Sequence, residues 1–177
     1  SQDLDLGLEK LYLAYLEDDL DHAAISADYA AGLPAFLHAL NSTGDQLVAV
    51  KGQVTGPVSW GLVVVDQNRR PILYDEVLAD AVARHLRLKA AWQERELRPL
   101  CPTVITFVDE PYMASFGSAF VSLGREQAIT LLEEVLGGIQ GVKGVHCCGN
   151  TDWSILLSTS IDILSLDAYE YAQALSL

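Results

Sequence analysis

The residues with the clearest capacity for chemistry stand close together in the run Val145-His146-Cys147-Cys148-Gly149-Asn150. If His146 and Cys148 end a β-strand, the alternation of side chains puts an imidazole and a thiol on one side of the extended chain, both pointing at one ion. Zinc accepts such a nitrogen and sulfur pair, and an oxygen ligand such as Asp167 at the next strand end could join it in an open catalytic site. A plainer reading gives His146 a hydrogen bond at a strand end and makes the cysteines small buried hydrophobes. Asp109 and Glu110 form a second cluster, and on a strand their side chains face opposite ways. They cannot act as matched acid and base on a single bond, so at most one faces a site. The plainer reading makes one of them a cap for the following segment. Thr55, in Thr55-Gly56-Pro57, joins Asp109 and Glu110 as a substrate-binding candidate.

Other reactive residue types carry less. Cys101 precedes Pro102 at the start of a strand, away from the end where sites are built, and has no role. His22, His38 and His85 lie in helical or loop context and read as surface or packing residues. Trp60, Trp92 and Trp153 read as core, although Trp153 follows the candidate metal loop and could wall it.

Two periodicities position these residues. Apolar residues at helical spacing predict helices over 8–20 and, interrupted by Pro34, over 29–40. The stretch 74–97 has a clear 3.6-residue period and ends at Pro99 and Pro102; 125–136 is a further helix, closed by Gly137 and Gly138. A short helix over 152–159 is capped by Thr151 or Asp152. Strands are predicted over 46–54, 103–108, 141–146 and 162–166. Strands alternating with helices imply an α/β fold of parallel strands with right-handed helical crossovers. In such folds the C-terminal strand ends share one face, so Thr55, Asp109, His146, Cys148 and Asp167 should converge.

Half of the 177 residues are apolar, enough for a real core, and no linker divides the chain, which reads as one domain over 1–177. A net charge of −13 without a Lys/Arg cluster argues against nucleic acid and anionic membranes as partners. The acidic stretch Asp3 to Asp21 reads as a solvated helix face. Apolar runs fall far short of the ~20 residues needed to cross a bilayer. Three cysteines, two of them adjacent, make no disulfide framework and suit a reducing cytoplasm. The start, Ser1-Gln2-Asp3, has neither an initiator Met nor the pattern of a signal peptide, and reads as a processed or cut end.

The residues Lys51-Gly52-Gln53-Val54-Thr55-Gly56-Pro57, Val108-Asp109-Glu110-Pro111, His146-Cys147-Cys148-Gly149-Asn150 and Asp162-Ile163-Leu164-Ser165-Leu166-Asp167 occur in this order across 47–168. Together they resemble the catalytic domain of cobalamin-independent methionine synthase. The wider superfamily of uroporphyrinogen decarboxylase-like barrels and corrinoid-dependent methyltransferases shares these elements. The resemblance implies a (β/α)8 TIM barrel and a zinc ion that binds a small thiol substrate, homocysteine-like, as thiolate and presents it to a methyl donor. It implies His146 and Cys148 as metal ligands, Asp167 as a third, and Asp109 as the contact for the substrate's amino group. Asp167 stands where methionine synthases have Glu, one methylene longer. The family's second cysteine ligand and its proton-transfer histidine lie on later strands, beyond Leu177. Gly149-Asn150 is closer to the decarboxylase-like and corrinoid branch.

A complete barrel needs about 250 residues and eight strands, whereas four are legible here. The expectation is a partial TIM barrel, either a piece of a longer polypeptide or a half that forms a homo-oligomer to cover its sheet edges. A metal-independent decarboxylase-like enzyme would need a basic cluster for a polycarboxylated ligand, and Arg69-Arg70 is the one close basic pair in a predicted loop. A non-catalytic barrel fragment is the remaining alternative.

Overall fold

In the computed structural model residues 2–43, 47–118 and 121–175 are described. Ser1 and Gln46, at the chain start and the start of the first expected strand, lie outside them. Four strands, β1 (Val50–Thr55), β2 (Val104–Asp109), β3 (Val142–Cys147) and β4 (Ile163–Leu166), form one parallel sheet in the order β1-β2-β3-β4. The α-helices are α1 (Gln2–Leu16), α2 (Gly32–Thr43), α3 (Pro57–Val63), α4 (Glu76–Leu97), α5 (Arg125–Leu136), α6 (Trp153–Leu156) and α7 (Ala168–Tyr171). Short 3-10 turns at Leu20–Ala23, Ile72–Tyr74, Pro111–Ser115 and Ala172–Leu175 complete the path. Among the described residues the strand order does not reverse, and no switch point of a doubly wound fold is seen among them.

The alternation of β1, in which Val50, Gly52 and Val54 are buried and Lys51, Gln53 and Thr55 exposed, separates the two faces of the sheet. Val54, Val108 and Val145 stand side by side in register, and with Cys147, Leu164 and Leu166 they form the wall of the main core. Helix α4 meets this wall with Ala79, Ala83, Leu86 and Ala90, a stripe at helical spacing whose small members let the helix approach closely. Gly52 has the same origin: a Cβ there would collide with Gln93 and Leu97 of α4. Helix α5 adds Ala128, Leu131, Leu132, Val135 and Leu136. The other face of the sheet is the one that carries the candidate chemistry.

Local signals explain most boundaries. Asp75 caps α4 by accepting hydrogen bonds from the Val77 and Leu78 amides, both at 3.1 Å. Pro34 does not interrupt α2; it lies in the first turn, where an amide has no helical partner to lose. Thr55-Gly56-Pro57 ends a strand as expected and also starts α3, with Pro57 at its first position, which the sequence reading passed over. The helix expected over 8–20 ends at Leu16, and that over 152–159 is a single turn, Trp153–Leu156, capped by Asp152. The acidic side chains of α1 are exposed, as expected of a solvated face. No helix among the described residues is long and apolar enough to cross a membrane.

Leu132 of α5 is fully buried against the sheet. Leu132→Ala is expected to cost about 2–5 kcal/mol in urea denaturation, whereas Leu16→Ala on the exposed end of α1 should stay within about 0.5 kcal/mol.

Candidate functional site

The pairing register sets Thr55, Asp109, His146 and Ser165 side by side across all four strands. Residues opposite one another in a parallel ladder face the same way, and neighbouring strands are about 4.8 Å apart, so four polar side chains form one row at the C-terminal level of the sheet. All four belong to the face opposite the main core. The next row down is Gln53, Phe107, Gly144 and Ile163. Phe107 occupies the space above Gly144, where a Cβ would stand 2.7 Å from the ring. Lys51 Nζ lies 4.8 Å from the centroid of the Phe107 ring and donates to Gln53 Oε1 at 2.5 Å. The polar row therefore rests on an aromatic floor with one ammonium beside it.

His146 Nδ1 and Ser165 Oγ are 3.0 Å apart. The two adjacent cysteines part company just beyond. Cys147 is buried, its thiol donates to the Gly149 carbonyl at 3.3 Å, and burial pushes its pKa up. Cys148 is exposed, after the strand has ended. Trp153 belongs to the core, and its ring N–H donates to Asn150 Oδ1 at 3.2 Å, fixing the loop that leaves β3.

Asp109 and Glu110 do face opposite ways, and Glu110 is not a substrate-facing group. Its side chain is wholly buried. One carboxylate oxygen accepts from the Val58 amide at 2.9 Å, the other from the Ser59 amide at 2.7 Å and the Ser59 hydroxyl at 2.6 Å. These amides belong to the first turn of α3, which has no intrahelical acceptors for them. The capped helix thus precedes Glu110 in the chain, whereas the sequence reading placed a cap on the following segment. Gly56 makes room for this arrangement, since a Cβ there would collide with the carboxylate. Burial dominates the acidity of Glu110, raising its pKa from 4.5 to about 7 against the lowering effect of its donors.

Asp167 also has local work. It is the cap of α7, accepting from the Tyr169 and Glu170 amides at 3.0 and 3.2 Å. A catalytic zinc site needs three protein ligands. His146 and Cys148 are donors of suitable chemistry, and Asp167 spends one oxygen, Oδ1, on both α7 amides. Among the described residues no group of three or more His, Cys, Asp or Glu side chains could hold a metal ion. The residues present do not fit a complete zinc site.

A cleft of about 550 Å³ lies elsewhere, between the end of α4 and the residues preceding β2 and β3. Its arginines are engaged: Arg87 with Glu134, Arg95 with Asp21, and Arg98 with Glu94. Cys101 is buried and its thiol donates to the Leu47 carbonyl at 3.3 Å. His85 lines an apolar pocket with Leu11 and Trp60, and burial lowers its pKa to about 4.

No family model matches the chain, and no curated protein or solved structure is significantly similar to it. The site is therefore read from its own geometry. Sequence reasoning overlooked Ser165 and the pairing of Phe107 with Gly144. Ser165 was detectable as the one polar residue between Leu164 and Leu166, where alternation turns it away from the core.

Glu110 binds its proton more readily in the folded chain than in the unfolded one between about pH 4.5 and 7. Its stabilising contribution is therefore complete below pH 4.5 and is lost as the pH rises through 7. His85 acts oppositely, because a depressed folded pKa lowers stability as the pH falls from 6.5 towards 4. The difference between wild type and Glu110→Gln isolates the carboxyl group. Unfolding free energies from urea denaturation between pH 4.5 and 8 should fall more steeply for the wild type, by an amount of order 3 kcal/mol, and parallel curves would refute the assignment.

Proposed function

We propose that the chain carries the substrate-facing strands of a (β/α)8 enzyme of the methionine synthase and uroporphyrinogen decarboxylase-like superfamily, and that this enzyme methylates a small thiol. The observation that carries the proposal is the in-register row Thr55, Asp109, His146 and Ser165, with Cys148 two residues beyond His146. The uninterrupted order β1-β2-β3-β4 suits one wall of a barrel, and the C-terminal level of the sheet is where barrel enzymes build their sites. Asp109 pairs with the ammonium of an amino-acid thiol, and Thr55 offers a hydroxyl beside it. His146 and Cys148 are the donors that this chain offers to zinc, with the rest of the ligand set supplied from outside the described residues. A further barrel segment or a second copy of the chain would be that source and would cover the edge strands β1 and β4. The free thiols of Cys101, Cys147 and Cys148 suit the reducing cytoplasm.

A metal-free, decarboxylase-like enzyme is the second reading, favoured by the use of Asp167 Oδ1 as the cap of α7. It requires several cations for a polycarboxylate, and Lys51 is the one cation at the site-facing positions of the described strands.

Metal analysis by mass spectrometry, on protein purified without added metal and beside Cys148→Ser and His146→Ala variants, separates the two readings. Zinc retained by the wild type, with the remaining ligands from a second copy of the chain, that drops several-fold in both variants is the expected result. Zinc-free wild-type protein would transfer the site to the metal-free reading, and zinc unchanged in both variants would place the ion away from the strand ends.

A further inference from the structure

We infer that Ser165 is the positioning residue of His146, holding the imidazole as its Nδ1–H tautomer so that the Nε2 lone pair is presented to whatever occupies the site. The inference rests on the reading of His146 as a group that coordinates or accepts through Nε2.

The position of Ser165 is settled by packing. It lies between Leu164 and Leu166, which are packed against the main core, so the strand cannot slip by one residue without driving a hydroxyl into apolar contacts. That register places Ser165 opposite His146, with Oγ 3.0 Å from Nδ1. His146 is held in turn from its backbone: its carbonyl accepts from the Glu110 amide at 2.8 Å, beyond the last strand pair of β2 and β3. The next position beneath His146 on this face is Gly144, whose missing side chain leaves room for the Phe107 ring. The imidazole thus has a fixed backbone, a filled floor and one hydroxyl at Nδ1.

A serine hydroxyl can donate or accept, so the contact has two forms. If Oγ donates to Nδ1, the neutral ring carries its proton on Nε2 and can only donate to a ligand there. If Nδ1–H donates to Oγ, Nε2 is a free base, able to bind a metal or take a proton. The second form matches a general pattern in which a ligating histidine is oriented by the hydrogen bond of its other nitrogen. Serine can serve here because its hydroxyl proton is free to turn to another acceptor while the oxygen receives the ring proton.

Nitrogen NMR of 15N-histidine-labelled protein, kept metal-free and at a pH where the ring is neutral, reads the tautomer directly. A His146→Asn variant assigns the signal among the four histidines. In the wild type the neutral ring should be mostly Nδ1–H, and Ser165→Thr, which keeps the hydroxyl, should preserve that population. Ser165→Ala should raise the Nε2–H population several-fold, and Ser165→Cys, with its poor acceptor, should move it the same way if the alanine variant does not fold. A wild-type ring that is mainly Nε2–H, or a tautomer ratio indifferent to loss of the hydroxyl, would overturn the assignment. Because no metal is present in this measurement, its result stands apart from the zinc analysis: absence of zinc removes the methyl-transfer reading and leaves the tautomer result intact.

Discussion

A carboxyl group with no access to water holds the strand ends of this protein together. Glu110 leaves the end of β2, crosses to the neighbouring strand and receives the first amides of α3, so the loop after β1 and the loop after β2 are joined through one side chain. Ser59 extends the link, donating its hydroxyl proton to Glu110 while accepting from the Tyr112 amide at 3.0 Å. Two backbone bonds continue the same seam beyond the ladder: Gly56 N–H to the Asp109 carbonyl and Glu110 N–H to the His146 carbonyl, both at 2.8 Å. The polar row can be level across β1, β2 and β3 because these connections prevent each strand end from fraying by itself. Removing one partner of such a buried set leaves the others unsatisfied, which is why its members act as a unit.

Much of the fold was legible because it depends on periodicity alone. The alternation in β1, the alanine-rich stripe of α4 and the Gly-Gly stop after α5 are local signals that the tertiary structure has no reason to override. The level arrangement of Thr55, Asp109 and His146 follows from the same logic, since strand ends in a parallel α/β fold share one face. The opposed directions of Asp109 and Glu110 follow from the two-residue repeat of a strand.

What escaped the sequence reading depends on partners distant along the chain. Nothing near Glu110 says that its acceptors will be used by amides fifty residues earlier, and a carboxylate that caps a helix looks, in sequence, like one that meets a substrate. Asp167 shows the same dependence over a shorter range: that one of its oxygens, Oδ1, receives the two amides of α7 is visible only once that helix has formed. Helix α3 was hidden by its own first residues, because Gly56-Pro57 ends a strand and begins a helix with identical letters. Ser165 needed the register between β3 and β4, which no single strand carries.

Gly144 sets the level of the aromatic floor beneath the polar row. Its hydrogen is the space into which the Phe107 ring settles, and that ring is the surface on which anything held by the polar row would rest. Enlarging residue 144 would raise the floor by tilting the ring, and shrinking residue 107 would lower it and remove the surface against which Lys51 lies, in both cases with the backbone that carries the polar row left in place. The size of molecule that the strand ends can accommodate is thereby adjustable separately from the chemistry they perform, through two residues that take no part in it.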